Sequence, residues 1–382
     1  MPEKILKVHP ADNVLVALQD LPQGETIQFN NDVFTLQEPI PGKHKFFTRD
    51  FANGEKVVMY GVTVGTIQVP VRKGSRMTVE NTKHAADPFF YRDVHYQWTA
   101  PNVSKFAGRT FKGYLRDDGR VGTANYWLFV PLVFCENRNL DVIKEALQNE
   151  LGYGTPNAYR NFTRQLVRAY QAGEDLLTAK TESLSPQPAA DRVFQNIDGI
   201  KFLNHTLGCG GTRQDAEMLG KLLAAYADHP NVAGVTVLSL GCQHLQADDF
   251  LQYVKSRNAA FTKPLLLFEQ QKTASENALI IEAIRQTFER LVDANKTGRT
   301  AAPLSQLTVG VKCGGSDGFS GISANPAVGH CADLLVTLGG KVLLAEFPEL
   351  CGAEQDLIDR CVNRESAEKF IHLMTTYNRW AH

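Results

Sequence analysis

The order of hydrophobic and polar positions changes once along the chain, near residue 110. Before that point, short β-prone runs are separated by turn residues such as Pro22, Gly24 and the pair Asn53-Gly54. Apolar and β-branched runs of this length between such turns are typical of β-strands. The runs cover residues 14–18, 26–29, 33–36, 57–60 and 66–69. Residues 1–83 are therefore predicted to form a small all-β domain.

From residue 113 onward, apolar runs alternate with amphipathic stretches. The apolar runs cover residues 126–134, 200–203, 235–240, 264–268, 307–311 and 341–345. Helical stretches follow them at residues 143–151, 216–226, 247–255, 276–294, 327–338 and 353–361. This alternation indicates a parallel sheet with helices on its faces. We predict an α/β protein, in which the β-domain is followed by a Rossmann-like, mostly parallel α/β core over residues 111–382.

Two segments fit neither pattern. Residues 84–110 are polar and aromatic without clear periodicity, and we predict a linker whose aromatic side chains pack on another part of the protein. Residues 152–198 are mostly helical and polar, with a Ser/Pro-rich break at 183–188. We interpret this stretch as an insertion in the core or an oligomer contact.

The composition excludes several classes of protein. The chain has 382 residues, 43% hydrophobic and 21% charged, with a formal net charge of −1. This length predicts two or three domains, and the near-neutral charge argues against nucleic-acid binding. No apolar run approaches the ~20 residues that span a bilayer, and the start is too polar for a secretory signal peptide. We expect a cytoplasmic protein with no membrane partner, whose seven cysteines stay reduced.

Four of the seven cysteines directly follow predicted strands, namely Cys135, Cys209, Cys242 and Cys313. In a parallel sheet the carboxyl ends of the strands meet at one edge, where ligands bind. An isolated cysteine is more often a small core residue, but four at equivalent strand ends favour a shared site. We predict that these thiols meet at one edge and hold a soft or borderline metal such as iron.

Two other uses of these cysteines are disfavoured by their spacing. A redox disulfide usually comes from a CxxC motif, which the chain lacks. A structural zinc site usually has ligands in close pairs, whereas these four cysteines are far apart in the sequence. A catalytic site at the edge of the sheet is the remaining interpretation.

Other polar residues follow the same strands. His205 precedes Cys209 in the loop after residues 200–203, and Glu346 and Glu349 come directly after the strand at 341–345. An imidazole or a carboxylate at a strand end can act as a base, and a carboxylate can also bind a metal. A structural histidine and solvated loop acids are the alternatives.

A glycine-rich loop follows the strand at 307–311. It covers residues 313–321, and its backbone N–H groups and the side chains of Ser316, Asp317 and Ser320 suit an anionic or polyhydroxylated ligand. The chain has neither GxxxxGK[ST] nor GxGxxG, which disfavours nucleotides.

The segment before the first core strand carries two arginines, Arg116 and Arg120, and Asn125. Arginine binds carboxylates in bidentate geometry, so Arg120 and Asn125 are predicted to contact an acidic substrate. A surface arginine without such a role is the alternative.

These residues resemble one family over nearly the whole chain. The N-terminal runs KVHPADNVLVAL, GKHKFF and NGEKVVMYGVTVG resemble the β-clip (SAF) domain of altronate and galactarate dehydratases. The core resembles that family at GYLRDDGRVGTANY, HTLGCGG, HPNVAGVTVLSLGCQ, CGGSDGFSGISANPAVG and AEFPELCGAEQ. The segment FPELCGAEQ resembles the altronate enzymes more than the galactarate enzymes.

The resemblance implies removal of water from a sugar acid, D-altronate, to give 2-dehydro-3-deoxy-D-gluconate in hexuronate degradation. It also implies Fe²⁺, or alternatively Mn²⁺, under reducing conditions. In such chemistry a base takes the proton α to the carboxylate, and an acid or a metal helps the β-hydroxyl to leave. The expected partner is a small sugar acid, and the expected assembly is a homodimer.

The resemblance also suggests roles for individual residues. His205, Glu346 and Cys209 are the candidate catalytic groups, and which of them moves protons stays open. His44 matches a His-Lys pair of the family and is expected to contact the substrate, with a structural turn as the alternative.

One departure from the family concerns the end of the chain. Relatives of this layout continue beyond the equivalent of His382, so we expect the family's C-terminal segment to be absent. This favours one alternative to an altronate dehydratase, a non-catalytic protein that binds a metal or a sugar acid. A dehydratase for galactarate or a related acid is a second alternative, because a few hydrogen bonds decide which hydroxyl configuration a pocket accepts.

Overall fold

The computed structural model of the protein describes residues 4–30, 32–94, 96–154, 158–176, 191–312, 314 and 318–381. The chain forms two compact units. The first unit combines Met1–Ala107 with Thr308–His382, and the second is Gly108–Leu307. No described helix is both long enough and apolar enough to cross a bilayer.

The beginning of the chain folds into a small all-β domain, which confirms the predicted β-region. Its strands are β1 (Ile5–Leu6), β2 (Val14–Ala17), β3 (Thr26–Phe29), β4 (Asp32–Thr35), β5 (Lys45–Phe47), β6 (Lys56–Met59), β7 (Val62–Ile67) and β8 (Thr82–His84). They pair antiparallel in the sheets β1-β2-β5, β3-β4 and β6-β7-β8. Strand β2 is buried on both faces, with Leu15 and Phe46 in one apolar cluster and Val14 and Phe47 in another.

The second unit is built around a four-stranded parallel sheet. Its elements are β9 (Thr110–Leu115), β10 (Val121–Gly122), β11 (Tyr126–Pro131), α1 (Asn137–Glu150), α2 (Ala158–Ala172), β12 (Gly199–Phe202), α3 (Arg213–Asp228), β13 (Val232–Ser239), α4 (Ala247–Arg257), β14 (Leu265–Glu269), α5 (Glu276–Ala294) and β15 (Thr300–Pro303). The strand order in the parallel sheet is β12-β11-β13-β14. After β11 the chain forms β12 on one side of it, and then crosses to form β13 on its other side. The direction in which strands are added therefore reverses between β11 and β13, which creates a crevice at the carboxyl edge.

Both faces of this sheet are covered, because alternate side chains of a strand point to opposite faces. Trp127 and Phe129 of β11 pack in a cluster with residues of α1 and α5, whereas Leu128 and Val130 pack with α3 and α4. All eight residues of β13 are buried, as expected for a parallel strand between two helical layers. The predicted α/β class is confirmed.

A small antiparallel sheet in the second unit was not predicted. Strand β9 pairs with β10 and with β15, so that Thr110–Gly113 lies beside Thr300–Pro303. Strands β9 and β15 come from the two ends of the unit. A local sequence pattern cannot predict a pairing between segments so distant in sequence. The predicted Ser/Pro-rich break at 183–188 lies outside the described residues.

The last part of the chain belongs to the first unit. It contains β16 (Thr308–Val311), α6 (Ala324–Thr337), β17 (Lys341–Leu344), α7 (Glu354–Asp359) and α8 (Arg364–Ala381). Among the described strands, β16 and β17 pair in parallel only with each other. The expectation that they extend one continuous core sheet was wrong, because an apolar run predicts a strand but not its neighbour.

The predicted linker packs on the helices at the end of the chain. The backbone N–H and carbonyl of Phe90 bond the side-chain amide of Gln355, each over 3.1 Å. Arg92 forms a salt bridge with Asp359. The described residues between 85 and 103 form no helix or strand, so these side-chain contacts hold the segment on α7.

Candidate functional site

Three of the four predicted cysteines lie at the carboxyl edge of the parallel sheet. Cys135 follows β11, Cys209 follows β12 and Cys242 follows β13, which are neighbouring strands. All three are exposed, and the Cys209 Sγ lies 4.0 Å from the Cys242 carbonyl oxygen. Cys135 and Cys242 flank the crevice between β11 and β13, where ligands bind in sheets of this kind.

The fourth cysteine cannot be added to this group. Cys313 lies outside the described residues, and the strand before it, β16, belongs to a different sheet in the other unit. The prediction of four thiols on the strand ends of one sheet therefore holds for three of them.

His205 lies at the same edge, but both of its ring nitrogens are occupied. Its Nδ1 accepts a hydrogen bond from the Leu207 N–H over 3.1 Å. The proton is therefore on Nε2, which donates to the Pro131 carbonyl at the end of β11 over 2.8 Å. In this arrangement His205 joins the loop after β12 to the end of β11, and it must release one bond before it can accept a proton.

His244 is a second histidine at this edge, and the sequence reasoning missed it. It lies two residues after Cys242, and its Nε2–H donates to the Cys209 carbonyl over 3.0 Å. No group in the described part of the chain bonds its Nδ1. The ring lines a cavity of about 470 Å³ together with Arg213 and Tyr253. The strand-end rule that selected Cys242 also covers this position.

Glu136, beside Cys135, was missed as well. It is completely buried in the turn between β11 and α1. Its Oε2 accepts a hydrogen bond from the Asn139 amide over 2.8 Å, whereas Oε1 has no partner among the described residues. Burial raises the pKa of the Glu136 carboxyl, and the neighbouring Glu276 raises it further. A carboxyl with a raised pKa at a ligand-binding edge is suited to acid–base chemistry.

A second buried acceptor without a partner lies next to Glu136. The Oδ1 of Asn137 has no bond to any described residue, while its Nδ2 donates to the His205 carbonyl over 2.8 Å. Buried polar atoms are rarely left unpaired, and their usual partners outside the protein are water, ions or ligands. Two acceptor atoms in the turn after β11, Glu136 Oε1 and Asn137 Oδ1, can therefore accept hydrogen bonds from a ligand or water at the carboxyl edge.

Arg120 and Asn125 lie at the opposite, amino edge of the sheet, before β11. The Arg120 guanidinium forms salt bridges with Asp118 and with the buried Asp228 at the end of α3. Asn125 is completely buried, and its N–H donates to Asp198 over 2.8 Å. These contacts account for both residues as parts of the fold, and the structure does not bring them to the carboxyl edge where the cysteines lie.

Glu346, a predicted catalytic residue, belongs to the first unit and follows β17. Its Oε1 lies 3.1 Å from the Nζ of Lys312, which follows β16, and its Oε2 is buried without a described partner. The backbone has a φ of 60°, a left-handed conformation that costs a residue with a side chain roughly 1–2 kcal/mol. Backbone strain of this kind is concentrated at functional sites.

A cavity of about 310 Å³ lies at the carboxyl edge of β16 and β17. Lys312 and Glu349 contribute its charged groups, and Asn325 and Val328 of α6 line it as well. An apolar cavity with a few charged groups at its edge is a common form of small-molecule site.

The remaining predicted substrate contacts also belong to the first unit. His44 is exposed at the end of the turn before β5, and Ser320 begins a short 3₁₀ turn. Ser316 and Asp317 lie outside the described residues. The Nζ of Lys43, next to His44, lies 5.2 Å from the centroid of the Phe319 ring, next to Ser320. The structure thus brings the two predicted segments together.

A metal site is not complete within the described residues. No three His, Cys, Asp or Glu side chains among them stand close enough together to hold a metal ion. The exposed thiols of Cys135, Cys209 and Cys242 are suitable donors for iron, but the described donors alone do not form a site for it.

Sequence comparison supplies the family context of this geometry. Three family models match the chain in order. They are the altronate/galactarate dehydratase SAF domain at residues 3–85, the D-galactarate dehydratase/altronate hydrolase second domain at residues 113–295, and the D-galactarate/altronate dehydratase C-terminal model at residues 304–382. The C-terminal match corrects the expectation that the family's C-terminal segment is absent.

Individual relatives are similar over almost the whole chain. Altronate dehydratase of Bacillus subtilis (strain 168) is 29% identical over 99% of this chain and 67% of its own length. Altronate dehydratase of Escherichia coli (strain K12) is 29% identical over 98% of this chain and 66% of its own length. Galactarate dehydratase (L-threo-forming) of Escherichia coli (strain K12) is 27% identical over 98% of this chain and 65% of its own length. The chain thus spans about two thirds of the length of these relatives.

Proposed function

The chain belongs to the altronate/galactarate dehydratase family, and we propose that it is a hydro-lyase that removes water from a sugar acid. The proposed substrate is D-altronate and the proposed product is 2-dehydro-3-deoxy-D-gluconate. The match of three successive family models, which together span residues 3–382 with short gaps, carries this proposal. The thiols and imidazoles at the carboxyl edge of the parallel sheet support an active site there.

The proposed reaction removes a proton and a hydroxyl group from neighbouring carbons. A base takes the weakly acidic proton from the carbon next to the carboxylate, and the hydroxyl of the following carbon leaves as water when it receives a proton. The enol formed in this way takes up a proton on carbon and becomes the 2-keto-3-deoxy acid. Each turnover therefore converts one hydroxy acid into one keto acid and one water.

Within the second unit, we assign the base to His244. Its Nδ1 has no hydrogen bond within the described part of the chain and can accept a proton without rearrangement, whereas His205 must first release Leu207 or Pro131. Glu136 keeps a proton to higher pH than an ordinary glutamate, which suits it as the acid. Catalytic roles for Cys209 and Glu346 stay predictions.

Fe²⁺, with Mn²⁺ as the alternative, is the proposed cofactor, on the strength of the family resemblance and the thiol donors. Metal analysis of anaerobically purified protein tests this. We expect about one Fe²⁺ per chain, and substitution Cys242→Ser to lower the metal content on the order of tenfold. Cys361→Ser is the matched control, since Cys361 lies beyond α7, where its S–H points to the Leu357 carbonyl. Equal metal content in both variants would contradict the proposal that the Cys242 thiol is a metal ligand.

Galactarate is the alternative substrate, because a galactarate dehydratase matches the chain over the same extent as the altronate enzymes. Stereochemical selection among sugar acids rests on a few hydrogen bonds. The deciding experiment is an anaerobic assay with Fe²⁺ and a thiol, in which the 2-keto-3-deoxy acid formed from each substrate is measured. Product from altronate supports the proposal, and product from galactarate alone selects the alternative. Metal binding without product from either acid would contradict both and indicate a non-catalytic binding protein.

The proposal also covers the setting of the enzyme. We place it in the cytoplasm, where reducing conditions keep the exposed thiols of Cys135, Cys209 and Cys242 free. A homodimer is the proposed assembly, and light scattering of the purified chain measures its mass in solution.

A further inference from the structure

We propose that Lys43 and Tyr60 of the N-terminal β-domain are positioning residues that hold the described end of the glycine-rich loop, residues 318–322, against that domain. The role of the loop in binding the sugar acid is a prediction from the sequence that rests on the proposed function, whereas the positioning contacts themselves do not. This inference gives the β-domain a task in the site of the first unit.

Lys43 occupies a turn position that favours glycine. The His44 N–H donates to the Pro41 carbonyl over 3.1 Å and closes the turn, and Lys43 has a φ of 75°. A positive φ is unfavourable for a residue with a side chain and neutral for glycine. The side chain kept there lies against the loop, with its Nζ 5.2 Å from the Phe319 ring centroid.

Tyr60 repeats this arrangement in a second turn. It connects β6 to β7 together with Gly61, and their φ values of 58° and 78° are those of a two-residue hairpin turn. Asparagine, aspartate and glycine are the residues such turns favour at the first position. The buried Asp12 holds this turn by accepting the Gly61 N–H over 2.9 Å, and Tyr60 directs its hydroxyl toward the loop.

The loop meets both side chains with glycine. A Cβ built on Gly318 would lie 2.7 Å from the Cβ of Lys43, and one built on Gly321 would lie 2.7 Å from the Tyr60 hydroxyl oxygen. Real Cβ atoms do not come that close to other heavy atoms. Ile322 then packs against the apolar cluster of the β-domain that contains Phe47. Each of the two turn residues therefore faces a glycine at which an added Cβ would force a neighbouring side chain to shift.

Asn30 serves for comparison, because it occupies a turn of the β-domain that does not contact the loop in the described part of the chain. It also has a positive φ, 55°, at the end of β3, and asparagine is a residue that tolerates this conformation. Nothing in the described contacts joins it to the loop. The turns at Lys43 and Tyr60 instead place residues that disfavour a positive φ at such positions. Both of these side chains lie against residues 318–321.

A double-mutant cycle between Gly321 and Tyr60 tests the proposal. Gly321→Ala places a methyl group against the Tyr60 hydroxyl. Tyr60→Phe removes that hydroxyl and leaves the Cζ 3.5 Å from the new methyl group, an ordinary contact. We expect Gly321→Ala to speed hydrogen exchange at residues 318–322 on the order of tenfold, and the double variant to return within about twofold of the parent.

The same cycle is read in the anaerobic assay with altronate. Gly321→Ala is expected to raise KM more than it lowers kcat, because the loop is displaced while the acid–base groups are unchanged. Gly298→Ala combined with Tyr170→Phe is the matched control, since the space around Gly298 is open and Tyr170 is 77% exposed. A Gly321→Ala defect that Tyr60→Phe leaves unchanged, or no defect at all, overturns the proposal. Absence of turnover in every variant contradicts only the proposed function, since hydrogen exchange still reports the coupling.

Lys43→Gly separates positioning from turn stability. Glycine suits the φ of 75° at this position, so the melting temperature is expected to stay the same or rise while the loop exchanges faster. Lys43→Gly should also tolerate Gly318→Ala, because the side chain that the new Cβ would meet is gone. A Lys43→Gly variant with parental loop exchange would exclude Lys43 from this role.

Discussion

At the scale of single residues, the most unusual feature of the carboxyl edge of the parallel sheet is the buried side chain of Glu136. Glu136 is withdrawn from water and bonded through one oxygen only. A charged carboxylate in this position lacks the hydrogen bonds that stabilise it in water. The raised pKa of Glu136 follows from this burial, and it makes the stability of the second unit dependent on pH.

The pH dependence has a defined sign for Glu136→Gln. Because the pKa is higher in the folded state than in the unfolded chain, Glu136 favours folding at acid pH, and this contribution disappears as pH rises through the folded-state pKa. Glutamine keeps the shape without the charge. The stability of the variant relative to the parent is therefore expected to increase as pH rises above the ordinary pKa of a glutamate.

Urea denaturation at several pH values measures this difference. Glu289→Gln serves as the control, since the Glu289 side chain is 60% exposed and pairs with Arg285 on the surface of α5. Parallel pH profiles for the parent and Glu136→Gln would show that Glu136 is ionised in the folded protein. If Glu136 is also the acid of the reaction, the variant that gains stability loses turnover.

The two histidines at this edge are expected to respond differently to substitution. His244→Asn should lower kcat on the order of 100-fold, because it removes the proposed base. His205→Asn should mainly lower stability, by about 1 kcal/mol, because it removes two hydrogen bonds to the backbone. Steady-state kinetics and urea denaturation of both variants distinguish these outcomes, and the reverse pattern would return the base to His205.

At the scale of elements, the two edges of the parallel sheet have different tasks. The carboxyl edge has loops with exposed thiols and unpaired acceptors, whereas the amino edge is closed by charge pairs. Arg120 joins the loop before β11 to the end of α3 through Asp228, whose side chain is only 4% exposed. The Arg120 guanidinium also lowers the pKa of Asp118, which hydrogen bonds to it.

Loss of Arg120 should therefore destabilise the fold rather than the site. Arg120→Met leaves the buried Asp228 without its main partner, and we expect the free energy of unfolding to fall by about 3 kcal/mol. Arg138→Met, which breaks a more exposed pair with Glu276, should cost less than about 0.5 kcal/mol. Urea denaturation gives both values. A stable Arg120→Met variant with a raised KM would instead support the substrate contact that the sequence predicts.

The elements themselves were largely predictable from the sequence, and their partners were not. The apolar runs that form β11, β12 and β13 are local signals, and the strand-end rule led from them to Cys135, Cys209 and Cys242. The separate pairing of β16 with β17 has no local signal. The pairing of Arg120 had no local signal either, since its partner Asp228 lies far away in the sequence. His244 follows the rule that selected Cys242 and could have been predicted.

At the scale of the whole molecule, the first unit is assembled from both ends of the chain. The linker segment after β8 reaches α7 through Arg92 and Asp359, and Ile322 packs into the apolar cluster of the β-domain. The sequence pattern indicated that the aromatic linker packs on something, but the helices that receive it lie more than 200 residues further on. Contacts of such long range depend on the complete fold, and a local sequence pattern cannot predict them.

This discontinuity sets an order of events during translation. The β-domain leaves the ribosome before the 200 residues of Gly108–Leu307, which take about 10–40 s to follow at ordinary elongation rates. For that interval Arg92 has no Asp359 to pair with, and the groove that receives Ile322 is open to water. The nascent β-domain must stay folded on its two small apolar clusters alone, or wait with a chaperone, until Thr308–His382 has been made.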